Sequence, residues 1–325
     1  MTDKNEKRSL LITGAGGYIG RQLVAALAVN DAVGRLCACD IRLPPAAERL
    51  AGVDYEQLDV RDSALAELCR ARGVDSLVHL AAVVTPGAGA DRRLLYEVDV
   101  LGTRNVLQAC RAAGVGQLVL TSSGAAYGYH ADNPAWLDEH DALRGNPEFA
   151  YSDHKRQVEQ MLADWRRHHP ELAQLVFRPC TVLGAGTRNQ ITALFERPLV
   201  LGLRGSDTPF VLIWDQDVVA ALERGVVQRA SGIYNLAGDG VLCLRQMARM
   251  MNKPYVALPP AAVAGALWLL GRLRLTGYGP EQVDFLRYRP VLANARLKHE
   301  FGYTPQKTSA EVFAHYLAHR DGRHG

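Results

Sequence analysis

The sequence predicts an α/β fold: a doubly wound parallel sheet followed by a smaller, mostly helical region. Three observations carry this expectation. Six apolar runs, at residues 10–13, 36–40, 55–58, 76–80, 117–122 and 174–178, are continuous rather than alternating, as strands covered on both faces should be. Helical patterns at 18–30, 63–72, 94–113 and 149–168 separate them, which is a βα repeat. The first junction between strand and helix carries glycines at 14, 17 and 20.

That junction reads Leu10-Leu11-Ile12-Thr13-Gly14-Ala15-Gly16-Gly17-Tyr18-Ile19-Gly20. A glycine at 14 allows a sharp turn, one at 17 allows close approach of a ligand to the backbone, and one at 20 allows helix to pack on strand. The helix start then offers free N–H groups and a partial positive charge, which suit a pyrophosphate. A purely structural turn would use the same glycines. Asp40 favours the nucleotide reading, because it closes the second apolar run and its carboxylate can accept both hydroxyls of an adenosine ribose.

Ligands of such sheets sit beyond the carboxyl ends of the strands. There the chain places Asp59-Val60, Leu80-Ala81-Ala82 and Thr121-Ser122-Ser123-Gly124, then a long polar connection from 127 to 148. The next helix opens with Tyr151-Ser152-Asp153-His154-Lys155. Tyr151 and Lys155 are four apart and share a face. An ammonium beside a phenol is expected to lower its pKa, so that Tyr151 can exchange a proton with an alcohol or carbonyl. The Ser123 hydroxyl could bond the same substrate oxygen.

The order Gly14-x-x-Gly17-x-x-Gly20, Asp40, Asp59-Val60, Leu80-Ala81-Ala82, Ser122-Ser123, Tyr127-Gly128 and Tyr151-x-x-x-Lys155 resembles the extended short-chain dehydrogenase/reductases, the NAD-dependent epimerase/dehydratase superfamily. The likeness continues in Arg178-Pro179, Leu183-Gly184, Asp215-Gln216-Asp217-Val218, Tyr234-Asn235-Leu236-Ala237 and Phe301-Gly302-Tyr303-Thr304-Pro305. It implies a Rossmann-type domain over residues 1–182 and a substrate-binding region over 183–325, some of whose segments return to the sheet. It implies NAD as cofactor, held at Gly14, Gly17, Tyr18, Ile19 and Gly20, and selected over its 2′-phosphate form by Asp40, with Arg42 close by. Asp59 and Val60 would flank the adenine. Leu80, Ala81, Ala82 and Pro179 would line the rest of the path. Ser123, Tyr151 and Lys155 would be the catalytic triad, with Lys155 also on the nicotinamide ribose. Homodimerisation through helices 94–113 and 149–168 is the family's habit.

The chain departs from the pattern at informative places. A position usually Asn is Asp99. Nucleotide-sugar enzymes commonly carry an Asn where Thr181 stands and an Arg before a Phe like Phe210, where this chain has Thr208-Pro209. Their loss leans the reading toward a dehydrogenase or reductase of a less charged secondary alcohol or ketone. A nucleotide-sugar epimerase or dehydratase using the same triad is the alternative, and a non-catalytic NAD(H)-binding regulator a second. The apolar stretch 261–270, followed by Arg272 and Arg274, resembles the 3β-hydroxysteroid dehydrogenase-like branch. It reads first as a core or subunit-contact helix, otherwise as a pocket wall or membrane-surface contact.

The remaining signals are exclusions. A net charge of +3 with no basic cluster interleaved with aromatics gives no case for nucleic acid. Six scattered cysteines without a CxxC pair read as buried thiols in a reducing compartment. No metal site is expected: His315 and His319 share a helix face without a third ligand. His79 reads as packed in a strand, His168 and His169 as a solvent-facing helix end, and Asp217 as the cap of a helix at 218–229. The polar start and the lack of a long apolar run argue against stable membrane insertion, and a cytoplasmic protein is expected.

Overall fold

The computed structural model describes residues 7–83, 91–207, 209–273, 279 and 282–320. Strands β1 (Arg8–Thr13), β2 (Val33–Asp40), β3 (Val53–Gln57), β4 (Ser76–His79), β5 (Gln117–Thr121) and β6 (Ala173–Pro179) match the six expected runs. Between them lie α1 (Tyr18–Ala28), α2 (Ala64–Ala71), α3 (Arg92–Tyr96), α4 (Gly102–Ala113) and α5 (Ala150–His168). Then follow β7 (Thr181–Leu183), α6 (Gln190–Phe195), β8 (Val200–Leu203), β9 (Pro209–Phe210), β10 (Leu212–Trp214), α7 (Asp215–Val227) and β11 (Gly232–Leu236). The chain closes with β12 (Leu242–Cys243), α8 (Leu244–Met250), β13 (Tyr255–Leu258), α9 (Pro260–Arg272), α10 (Gln282–Arg287), α11 (Ala295–His299) and α12 (Ser309–Arg320).

Seven strands form one sheet in the order β11-β6-β5-β4-β1-β2-β3, and all six pairings are parallel. The strand order reverses between β1 and β4, which opens the crevice where such sheets bind ligands. The seventh strand is the segment that returns after β6. The inner strands are covered on both faces and are apolar on both, whereas the edge strand β3 turns Asp54 and Glu56 to Arg72. Leu10 and Ile12 face one core with Leu23, Leu27 and Leu222, while Leu11 faces the other with Leu107, Leu118 and Leu162. Cys37 and Cys39 share that second face as free buried thiols, and burial raises both to about 12.

Three expectations need correction. The helix at 94–113 is broken: residues Glu97–Leu101 form a π-helical turn between α3 and α4. Asp217 does not cap α7, which begins at Asp215; it is buried in the first turn, and its Oδ1 accepts from Tyr303 Oη at 2.7 Å and from Gln306 N at 2.9 Å. The apolar helix α9 is not core: none of its residues is buried, and Trp268, Leu269 and Leu270 are exposed. Thr208 and Arg274 lie outside the described residues. Among the described residues no helix is long and apolar enough to cross a membrane.

Candidate functional site

At the carboxyl end of β1 the chain turns at Gly14, whose φ is +72°. A Cβ there would also stand 2.5 Å from Ala81 N, so the turn packs against the end of β4 in a way a larger residue forbids. At Gly20 a Cβ would meet the Gly14 carbonyl oxygen at 2.2 Å. The two glycines thus hold α1 hard against the turn. No side chain caps the N-terminus of α1 and no acid sits in its first turn. The peptide dipoles of the helix are left to a ligand, which fits a diphosphate. Asp40 lies at the tip of the turn and accepts from Gly16 N at 2.9 Å. Tyr18 reaches across to α7, where its hydroxyl donates to Asp215 Oδ2 at 2.6 Å.

A cavity of about 650 Å³ opens beside this turn. Gly14, Gly17, Tyr18, Ile19, Gly20, Leu80, Ala82 and Pro179 line it. Ser123, Tyr151 and Lys155 line it as well, so the glycine turn and the three polar residues expected to act together share one space. Four other expected cofactor residues, Asp40, Asp59, Val60 and Ala81, are not among its lining residues. Ala81 packs on Gly14, Asp59 is tied to Arg61 at 2.7 Å, and Val60 is buried. The hydrogen bonds from Arg61, working against partial burial, hold the Asp59 carboxyl below its ordinary range.

Ser123 ends the run after β5 and accepts from Ala125 N at 3.1 Å, which fixes its side chain. Ser152 anchors the first turn of α5 to the same segment through Ala125 O at 2.7 Å. Tyr151 is half-buried and lies beside Ser123 in the cavity wall. Lys155 is buried; its Nζ donates to Thr121 O at 3.2 Å and stands 5.7 Å from the centroid of the Tyr151 ring. The phenol is not lowered as the i, i+4 spacing suggested. Burial pushes it up to about 12 against the lowering influence of the Ser123 hydroxyl, and the negative charge of Asp99 adds to the rise. Burial also lowers Lys155, against the charges of Asp99 and Glu159.

His79 sits behind these residues, 3% exposed, between Thr13 Oγ1 at 2.8 Å and Thr103 Oγ1 at 3.1 Å. Burial and then the charge of Lys155 depress it to about 3, so it is neutral. Arg178 is committed to structure: its fork meets both carboxylate oxygens of Glu159 at 2.8 and 2.7 Å.

The far wall is apolar and aromatic. Tyr129 and Phe285 approach to 4.7 Å between ring centroids, and Leu292 and Val211 lie alongside. Arg289 stands in this wall, a residue that sequence reasoning missed. Its guanidinium packs 4.3 Å over Phe210 and 5.0 Å from Phe285. Nη2 donates to Thr181 Oγ1 at 3.1 Å, while Nη1 is buried without a hydrogen-bond partner. Among the described residues Arg289 forms no ion pair. Nothing local marks it; Arg289-Pro290 is an unremarkable dipeptide until the fold brings it to Thr181.

A family model described as "NAD dependent epimerase/dehydratase family" matches residues 10–207, more than half of the chain. The chain belongs to that family. It is therefore an enzyme of an NAD-dependent family.

Among family relatives, "Uncharacterized protein Rv0501" of Mycobacterium tuberculosis is 28% identical over 318 residues, 96% of this chain and 84% of that one. The N-acetyl-alpha-D-glucosaminyl-diphospho-ditrans,octacis-undecaprenol 4-epimerase of Escherichia coli O157:H7 is 30% identical over 58% of this chain and 53% of its own. The fold is shared with the UDP-glucose 4-epimerase of Thermotoga maritima, solved with UDP-glucose. The TM-score is 0.74 at 16% identity, over 96% of this chain and 98% of that one.

Proposed function

We propose that this family member is an oxidoreductase of the extended short-chain type, acting on a secondary alcohol or ketone with Tyr151 as acid/base. One observation carries the reading: Ser123, Tyr151 and Lys155 line the same cavity as the glycine turn. NAD, when bound, supplies the acceptor or donor of the hydride. Tyr151 takes the proton of the substrate hydroxyl or returns one to the carbonyl. Ser123 donates a hydrogen bond to the same oxygen. Lys155 supplies positive charge that favours the phenolate over the buried neutral phenol.

Arg289 extends the reading to the substrate. A buried guanidinium without an acid nearby is costly, and an acidic group on the substrate would offset that cost. This supports a substrate carrying a phosphate, diphosphate or carboxylate over a wholly apolar alcohol. The sugar nucleotides and lipid-linked sugar named for the relatives are the first compounds to try. The same triad begins an epimerisation or a dehydration, so product analysis decides among these outcomes.

The test is a substrate panel of UDP- and dTDP-sugars, sugar phosphates, hydroxy acids and neutral alcohols. NADH absorbance and product NMR are followed for the wild type and Tyr151→Phe. Turnover that Tyr151→Phe abolishes while NAD still binds supports the proposal; turnover that it retains overturns it.

We also infer a homodimer joined across α4 and α5. A groove on that face is lined by Tyr96, Arg104, Gln108, Met161 and Trp165, and the buried Nε1 of Trp165 has no hydrogen-bond partner among the described residues. Light scattering coupled to gel filtration tests it, and a monomer at micromolar concentration would rule it out.

A further inference from the structure

Among the described residues, seven of the fifteen large apolar side chains left exposed belong to α9, the residue after it and the two-stranded sheet before it. None of the seven lines the cavity. Strands β8 and β13 pair in parallel, with Val200 beside Tyr255 and Leu201 beside Val256. Val200 and Tyr255 turn to the core, while Leu201, Val256 and Leu258 face solvent. Pro259-Pro260 then turns the chain into α9, where Trp268, Leu269 and Leu270 are exposed, followed by Leu273.

From Pro260 to Gly271 the only polar side-chain group is the indole N–H of Trp268. A helix apolar around its whole girth is ordinarily covered, yet no residue of α9 is buried. Charge says what covers it. Residues 240–273 contain Arg245, Arg249, Lys253 and Arg272 and no Asp or Glu, in a chain whose total charge is only +3. Arg245 lies 4.8 Å over the Tyr255 ring, beside β13, and Arg272 lies 5.9 Å over Trp268 at the helix end. The neighbouring elements add no net charge: Arg204 and Asp207 follow β8, and Asp284 and Arg287 belong to α10. A second copy seated on this face would set like charges together, which disfavours self-association here. A protein partner covers one side of a helix, whereas the headgroup region of a bilayer takes in a helix that is apolar all round. The 13 residues of α9 reach about 20 Å, short of the roughly 30 Å hydrocarbon layer, so such a helix lies in the plane of the surface.

We propose that α9 and the outer face of β8 and β13 form a surface that binds reversibly to lipid bilayers with anionic headgroups. Trp268, Leu269, Leu270 and Leu273 enter the boundary between headgroups and acyl chains, with the indole N–H at headgroup level. Arg272 stays among the phosphates, and the basic residues before α9 add attraction over the last few ångströms of approach. The chain does not cross the bilayer. This contact is independent of the part given to Tyr151.

The experiment floats the full-length protein with vesicles of equal parts phosphatidylglycerol and phosphatidylcholine, and with vesicles of phosphatidylcholine alone. The anionic vesicles should bind it roughly tenfold more tightly or better, and added salt should weaken that binding. Trp268→Ser combined with Leu269→Ser should lower the partition at least about tenfold, and Arg272→Gln about fivefold. All three side chains are exposed, so the variants should keep the wild-type melting temperature. The wild type also supplies a readout that depends on no variant's affinity: vesicles should shift its tryptophan emission to the blue, and Trp268→Phe should remove that shift. Absence of binding to either vesicle, binding indifferent to headgroup charge, or binding unchanged in every variant would overturn the proposal. A wild-type oligomer that Trp268→Ser with Leu269→Ser splits on gel filtration would overturn it too, by making a second copy the occupant.

Discussion

Arg289 donates to Thr181 Oγ1 at 3.1 Å and leaves Nη1 unpaired in the wall of the cavity that holds Tyr151. A cation stacked on Phe210 and Phe285 has been removed from water without receiving a counter-charge from the described residues. Such an arrangement destabilises the empty protein and favours an anionic ligand.

Arg289→Met should therefore separate binding from stability. The expected outcome is a KM for the acidic substrate raised by roughly 30-fold, about 2 kcal/mol, with NAD affinity unchanged. The same change should leave the ligand-free protein as stable as the wild type or more so, read as the melting temperature. A lower melting temperature with an unchanged KM would contradict the anion-binding role.

Tyr151→Phe removes one oxygen atom from a residue raised to about 12 by burial. Turnover should fall by roughly 10²- to 10⁴-fold, the usual worth of a positioned acid/base. NAD titration by calorimetry should give the same Kd for both proteins.

Asp40 accepts from Gly16 N at the tip of the glycine turn. Asp40→Ser removes a carboxylate that would repel a 2′-phosphate. The ratio of NAD to NADP affinity should fall at least tenfold, measured by competitive titration of the two cofactors.

The Arg178–Glu159 pair has side chains 4% exposed on both partners. Either single neutral replacement, Arg178→Met or Glu159→Gln, leaves a buried charge uncompensated and should cost roughly 3 to 5 kcal/mol in urea unfolding. The double replacement should cost less than the sum.

His79 makes stability depend on pH. Burial holds it neutral in the folded chain down to about 3, whereas the unfolded chain takes up a proton near ~6.5. Between these values the unfolded state binds more protons, so stability falls as pH drops below ~6.5. His79→Gln should flatten the change in urea midpoint between about pH 7 and about pH 5.

Much of this protein was legible in its sequence, for reasons that are local. Continuous apolar runs mark strands covered on both sides, and Leu10, Leu11 and Ile12 do face two different cores. The glycine turn was legible because Gly14 needs its left-handed backbone and Gly20 its missing side chain, both properties of single positions. The helix at 94–113 was read as continuous because its hydrophobic period carries no trace of the π-helical turn that turns Asp99 toward Val83. Asp217 was misread as a cap because its partners, Tyr303 and Gln306, come from the far end of the chain.

By itself the sequence determined the parallel α/β architecture, the glycine turn after β1 and the placing of Tyr151 and Lys155 on one helix, since spacing and periodicity encode these. Only the tertiary structure decided the chemistry of their surroundings. The rise of the Tyr151 phenol follows from burial, which no i, i+4 spacing expresses. Arg289 meets Thr181 across 108 residues of chain, and His154 meets Asp99 across 55. Charge in a protein interior is set by which groups share a dry volume, and that sharing exists only once the chain has folded.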